Sequence, residues 1–339
     1  MKDQYFQTIR GLCIVCVVVI HSLLQDRLNI HNNEINIIIR TIINFAVGIF
    51  IFLSGYFIKD NDIRNDKKDF YKKRLKRLLI PYIIWSSIYI VLFHLNYIKN
   101  INIKSIISAY IFGNSAVHLY FIVALLQLIL ITPLLIKVMD KNSRFINLSI
   151  IMLTPIYTCI NGLFNYYTKT NFPLYATLFP AWISFYYMGM LYNKQIGKIK
   201  KINSKFIFFI TSVILIINIS VNLIEYWNGM SYSYCTSQIK LSNSIYIICI
   251  AFSIIAILNI VNTKKIKSNV LSKIGDNSFG IYFMHLILIK LLKKIFEDIN
   301  CILIVKSSII AVITLIICVV LIKIINELTK NKSKLYLGF

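Results

Sequence analysis

Charge is scarce in this sequence, and acidic charge is the scarcer kind. Asp, Glu, Lys and Arg make up 15% of its 339 residues, and only 13 of those are acidic. So few charges cannot give a wettable surface to a chain that is 58% hydrophobic with a mean hydropathy of +0.71. A soluble enzyme and a disordered chain are both excluded on that ground. Metal-ligand spacing is also lacking: Cys13-x-x-Cys16 has half of a zinc or redox pattern, but no second pair or nearby His completes four ligands. No metal is therefore expected. Cys13, Cys16, Cys159, Cys249 and Cys318 lie within apolar runs as small hydrophobes, whereas Cys235 and Cys301 fall near one predicted outer face and leave a bridge open. No small-residue cleavage site follows the run Leu12–Leu24, which predicts a retained first helix and not a removed signal peptide. With no strong internal repeat and no segment resembling a soluble domain, residues 1–339 are expected to form a single membrane-embedded domain.

What the chain does have is long apolar runs. They recur near 10–28, 35–58, 78–97, 118–138, 145–163, 174–192, 206–226, 242–262, 277–292 and 302–325, with a shorter piece at Ile103–Phe112. Each crossing of a bilayer takes roughly 20 apolar residues. Lipid-exposed strands could not satisfy their backbone, so the expected fold is all-α: a polytopic membrane protein with about ten transmembrane helices, spanning about 10–325 and ending in a short cytoplasmic tail, 326–339.

Charge of one sign then sets the orientation. The net charge is +24, which on a soluble protein would suggest nucleic acid. Sorted along the chain, 27 of the 37 Lys and Arg fall on one side of the predicted bundle: at Lys2 and Arg10, and in Lys59–Arg77, Lys137–Arg144, Lys194–Lys205, Lys264–Lys273 and the tail from Lys323. The positive-inside rule makes that side cytoplasmic and puts both termini there. Lys290, Lys293 and Lys294 run against the pattern, since they fall outside. The bilayer, not nucleic acid, is the partner this charge implies.

Ionisable groups inside a span are costly, so each is a functional candidate. His21 lies eleven residues after Arg10, which brings both to one helix face with a rise of about 16 Å between them. A cation at the cytoplasmic mouth suits an anionic cofactor such as a phosphate, and a neutral imidazole in a low-dielectric site suits a general base. A snorkelling Arg and a His bonded to a neighbouring helix account for the same pair. Arg74 and Arg77, three apart where the third span begins, could grip one phosphate, although a positive-inside loop also explains this basic run. Polar stripes recur at helical spacing: Asn36, Arg40 and Asn44; Asn218, Asn222 and Glu225; Ser278, Tyr282 and His285. They suggest a polar cavity for a hydroxylated acceptor, with Arg40, Asn44, Glu225, Tyr282 and His285 as substrate-binding candidates; helix packing explains such stripes as well.

At this point the residues resemble a known family. Arg10 with His21 is similar to an Arg-x10-His signature in a first helix. Phe52-Leu53-Ser54-Gly55-Tyr56-Phe57 resembles a second-helix motif, and Arg74-x-x-Arg77 before Leu78-Leu79-Ile80-Pro81-Tyr82 resembles a first cytoplasmic loop. His118-Leu119-Tyr120-Phe121 through Thr132-Pro133-Leu134-Leu135 resembles a fourth helix, and Ser278–His285 a late Tyr-x-x-His helix. This is the pattern of the acyltransferase-3 family of integral membrane O-acyltransferases. The resemblance implies acyl-CoA, with acetyl-CoA the expected donor, and a cell-surface or lipid-linked glycan hydroxyl as acceptor. It implies Arg10 and His21 as active-site residues and Arg74 and Arg77 as donor-side arginines. It also implies a multi-pass place in a plasma membrane, that of a bacterial cell. His21 then serves either as general base or as an acyl relay. The rival reading is a transporter or flippase for a polysaccharide or glycolipid, which Pro133, Pro155 and Pro180 within apolar runs would fit equally.

Overall fold

The computed structural model describes residues 4–25, 30–94, 103–194, 203–260, 269–299, 301–330 and 332–339. Much of the basic segments Lys194–Lys205 and Lys264–Lys273 lies outside the described residues. Among those described there are sixteen α-helices and no strand. In chain order they are α1 (Gln4–Ser22), α2 (Ile30–Ile43), α3 (Phe45–Tyr56), α4 (Asp60–Asn65), α5 (Lys67–His94), α6 (Ile103–Phe112), α7 (Tyr120–Asp140) and α8 (Arg144–Thr168). Then come α9 (Ile183–Lys194), α10 (Ser204–Trp227), α11 (Tyr232–Cys235), α12 (Leu241–Ile260), α13 (Val270–Asp276), α14 (Ser278–Ile295), α15 (Leu303–Leu328) and α16 (Ser333–Tyr336). The chain divides into two compact units, one built from residues 1–50 and 197–328, the other from 51–196 and 329–339.

Among the described residues, eight helical segments are long and apolar enough to cross a membrane, against the ten expected. The two others have physical reasons for falling short. The run at 174–192 becomes helical only at Ile183, so α9 has 12 residues and is about 18 Å long, less than a hydrocarbon core. Pro173 and Pro180 lie in the preceding stretch, which folds as turns and a 3₁₀ turn at Phe179–Ala181. Gln127 of α7 satisfies that irregular backbone on both sides, donating to the Thr177 carbonyl at 2.9 Å and accepting from Phe179 N at 3.0 Å. The other case, α14, has 18 residues but carries Lys290, Lys293 and Lys294.

In the second unit, helix contacts are made where small residues let backbones meet. Gly55 of α3 faces the Tyr186 carbonyl of α9, where a Cβ would stand 2.0 Å from the oxygen; Gly189 of α9 faces the Phe52 carbonyl in the same way, also at 2.0 Å. Ser184 of α9 repairs α8: Pro155 has no N–H for the Ile151 carbonyl, and Ser184 Oγ donates to that oxygen at 2.6 Å. The basic run Tyr71–Arg77, expected as a loop leading into a span, is helical. Asp66 caps α5 by accepting from Asp69 N at 3.0 Å, and Lys and Arg are good helix formers, so the helix begins well before the apolar segment. The tail beyond α15 is also ordered: the Trp85 indole N–H of α5, which needs an acceptor in apolar surroundings, donates to the Leu337 carbonyl at 3.2 Å, and Phe339 is buried.

The first unit is organised around α1. Gly11 of α1 and Gly275 of α13 bring the two helix backbones into direct contact. A Cβ on Gly11 would stand 1.9 Å from the Leu271 carbonyl oxygen, and one on Gly275 would stand 1.8 Å from that of Gln7. Around this crossing α10 is built inside out. Its buried residues are Thr211, Asn218 and Asn222, while Phe209, Ile216, Ile217 and Ile224 are exposed. That is the arrangement of a helix whose apolar side chains meet lipid and whose polar ones meet neighbouring helices. Cys235 and Cys301 are free thiols, the first buried and the second exposed. Gly11→Ala and Gly275→Ala should each force α1 and α13 apart and destabilise the purified protein by about 1–3 kcal/mol or more. A thermal melt in detergent checks this against Ser212→Ala, an exposed site on α10 that should melt like the parent.

Candidate active site

One unbroken helix, α1, carries both Arg10 and His21, with His21 in its last turn. Four groups gather where α1 ends. Lys293 of α14 donates to the His21 carbonyl at 2.9 Å and to the Leu23 carbonyl at 3.2 Å. Ser307 Oγ of α15 accepts from Leu24 N at 3.1 Å, and Asn36 Nδ2 of α2 donates to the Leu24 carbonyl at 2.7 Å. The His21 ring faces that of His285 on α14, with centroids 5.2 Å apart and planes inclined at 49°. A helix end leaves carbonyls without intrahelical partners, and here side chains of three other helices take up the backbone at and just past that end.

His285 is fully buried, and its Nδ1 lies 2.7 Å from the Tyr282 carbonyl and 3.1 Å from that of Ile281. A carbonyl can only accept, so Nδ1 carries the hydrogen, and in the neutral ring Nε2 holds the lone pair. The Tyr282 ring lies 6.3 Å from that of His285 and stacks on Phe279 at the same centroid distance. Arg40 of α2 is an electrostatic neighbour of His21, as is Lys293. Arg40 also donates a hydrogen bond to the Tyr232 hydroxyl of α11; burial pushes that phenol above its ordinary pKa while the guanidinium pulls the other way, so at neutral pH Tyr232 keeps its proton. One turn further, Asn44 sits between α2 and α3. Its Nδ2 donates to the Thr236 carbonyl at 3.2 Å, and its buried Oδ1 has no hydrogen-bond partner among the described residues.

The structure thus brings together His21, His285, Tyr282 and Arg40, with Asn44 one turn beyond Arg40 on the same chain segment. Glu225 is held elsewhere in the first unit. It pairs with Lys240, which is 4% exposed, also donates to Asn222 Oδ1 at 2.6 Å and lies 4.7 Å over the Tyr234 ring. Asn222 in turn donates to Thr41 Oγ1 at 2.9 Å. This cluster fastens the segment after α10 to α10 and α2. Arg10 lies three turns of α1 away from His21, beside the Gly11 crossing. Arg74 and Arg77 belong to the second unit. Arg74 is half-buried and donates to the Phe57 carbonyl at 2.8 Å just past the end of α3, whereas Arg77 is exposed. Sequence reasoning missed Lys293, Ser307, Tyr232 and Lys240. Only Lys293 left a signal, as a lysine on the side where the charge pattern predicts few.

A helical bundle with eight candidate crossings among the described residues has the make-up of a multi-pass integral membrane protein. Residues 3–323 match the family model described as an acyltransferase domain, and the chain belongs to the acyltransferase-3 family. No curated protein and no solved structure matches it. Family membership makes the protein an O-acyltransferase of the membrane, moving an acyl group from a donor to a hydroxyl acceptor.

Breaking the Glu225–Lys240 pair should be costly, most of all where the buried Lys240 ammonium is left without its carboxylate. Glu225→Gln should lose about 3–5 kcal/mol of stability, and Lys240→Met less, because the Glu225 side chain is 27% exposed. The double variant should recover part of the loss, which a two-variant thermal-denaturation cycle reads directly.

Proposed function

We propose that the protein transfers an acyl group, acetyl in the simplest case, from cytoplasmic acyl-CoA to a hydroxyl of a cell-surface or lipid-linked glycan. The chain acts as one membrane-embedded catalytic domain of a plasma membrane, and His21 carries the reaction. The observation behind this reading is the setting of His21: its backbone is held from other helices, its ring faces His285, and Arg40 is beside it.

His21 removes the proton of the acceptor hydroxyl as its oxygen attacks the thioester carbon. The C–S bond breaks, CoA leaves as thiolate, and the proton on His21 passes to the sulfur. General-base help of this kind contributes about 10²–10⁴-fold. In the relay version the imidazole nitrogen attacks the thioester carbon, the C–S bond breaks and CoA leaves with the ring proton as the thiol; the acceptor oxygen then attacks the acyl carbon, the C–N bond to His21 breaks, and the hydroxyl proton returns to the imidazole. Arg40 supplies positive charge where the carbonyl oxygen becomes negative. Asn44 Oδ1 and Tyr282 bind hydroxyls of the sugar; for Asn44 this is supported by a buried amide oxygen that has no partner among the described residues and so accepts a hydrogen bond readily. Arg10, Arg74 and Arg77 are the arginines assigned to the phosphates of the donor. The concentration of Lys and Arg in the segments assigned to the cytoplasm supports a donor arriving from that side.

Purified protein given radiolabelled acetyl-CoA should release CoA and label a glycan fraction. Glycan movement without thioester turnover would instead mean a transporter. His21→Ala should lower turnover at least about 100-fold while leaving insertion intact, and full activity in that variant would refute the assignment.

The two donor-side arginines should separate in a calorimetric titration with CoA. Arg77→Ala should weaken CoA binding with no change in melting temperature. Arg74→Ala should weaken binding and also lower the melting temperature, because the Phe57 carbonyl loses its partner. Unchanged CoA affinity in both variants would remove these residues from the donor site.

A further inference from the structure

We propose that Lys293 is a positioning residue for the reaction at His21, holding the histidine's own backbone in place. This rests on the reading of His21 as the residue that carries acyl transfer. Three observations support it.

Lys293 is half-buried in the last turn of α14, and its ammonium donates to two carbonyls, of His21 and Leu23, that flank the final residue of α1. A cation at a helix C-terminus meets the negative end of the helix dipole as well as the free carbonyls. Its hold on α1 therefore acts at the very residue whose side chain does the chemistry.

The same helix also supplies the ring partner. His285 and Lys293 are eight residues apart on α14, so one rigid segment touches His21 twice, through its ring and through its carbonyl. A displacement of α14 along its axis would move both contacts together.

The end of α14 is fastened in the same way. Lys306 of α15 is 8% exposed and donates to the carbonyls of Glu297 at 2.9 Å and Ile299 at 3.3 Å, just beyond α14. Its neighbour Ser307 binds Leu24 N at the exit of α1. Two ammonium groups, that of buried Lys306 and that of half-buried Lys293, thus link α15 to α14 and α14 to α1, and His21 stands at the end of that series. The ordinary use of Lys near a membrane face is to snorkel its charge into water. Lys293 instead spends its donors on backbone carbonyls, whereas Lys294 beside it is exposed. The charged or titratable groups that act on the His21 ring are His285 and Lys293 of α14 and Arg40 of α2.

The test compares Lys293→Met, Lys293→Gln and Lys293→Arg with Lys294→Met, using acetyl-CoA turnover in reconstituted vesicles. Lys293→Met should lower kcat about tenfold to a hundredfold, with KM for acetyl-CoA unchanged, as expected when a reacting group is displaced by a fraction of an ångström to an ångström. Its pH–kcat profile should shift along the pH axis, because a cation beside His21 has gone. Lys293→Arg should restore most of the turnover, and Lys294→Met should match the parent. If Lys293→Met does not accumulate in folded form, Lys293→Gln decides, since it keeps a donor and drops the charge; an intermediate loss with a shifted profile is expected. Parent-level kcat in the Met or Gln variant, while His21→Ala is inactive, would overturn the role of Lys293 and leave His21 standing. So would a loss of turnover that only tracks the amount of folded protein, with the pH profile unmoved. Full activity of His21→Ala would instead remove the reading on which the proposal rests.

Discussion

In hydrocarbon, a polar group without a partner is far more costly than in water, and most of this structure follows from how that cost is avoided. Backbone N–H and C=O groups are satisfied within helices, so the difficult places are helix ends, prolines and irregular segments. At several of these a side chain from another helix supplies the missing partner. Ser184 fills the gap left by Pro155, Gln127 holds the turns before α9, Arg74 takes the carbonyl past α3, and Lys306 takes those past α14. These bonds do for the bundle what an apolar core does for a soluble domain. Lipid is as apolar as leucine, so burying leucine gains little here, whereas pairing an amide with an amide gains more. The inside-out character of α10 is the clearest instance.

The candidate active site uses the same devices. His21 lies where a helix stops, so its carbonyl must be bound from outside; the side chain that binds it comes from the helix bearing His285. Structural necessity and the placement of the proposed catalytic residue therefore coincide at the end of α1. The Glu225–Lys240 pair shows the contrasting case. There, two charged groups satisfy each other, and the product is a fastening between α10 and the segment that follows it.

The architecture was legible to the extent that it depends on local chemistry. Apolar runs show where helices cross, and scarce charge shows that they must cross something. Arg10 and His21 share a helix because eleven residues is close to three turns, a fact of helical geometry alone. The start of α5 was hidden, because a hydropathy pattern registers the apolar part of a helix and not its basic approach. The shortness of α9 was hidden because it depends on Gln127, some fifty residues earlier. The meeting of His21 with His285 spans most of the chain, and nothing in either neighbourhood reveals it. Lys293 stands between these cases: its sequence position was anomalous, but only the structure shows what it binds.

The Gly11 crossing in the N-terminal half of α1 and the Lys293 cap at its C-terminus give that helix a property that neither has alone. A helix secured at two such points works as a ruler. Side chains along its length can be exchanged, but a residue added or removed between Arg10 and His21 would turn one end by about 100° relative to the other and shift it by about 1.5 Å. No neighbouring helix could follow both ends at once. The interval between the arginine and the histidine is therefore quantised by the backbone, and any molecule that must reach from one to the other is measured against it.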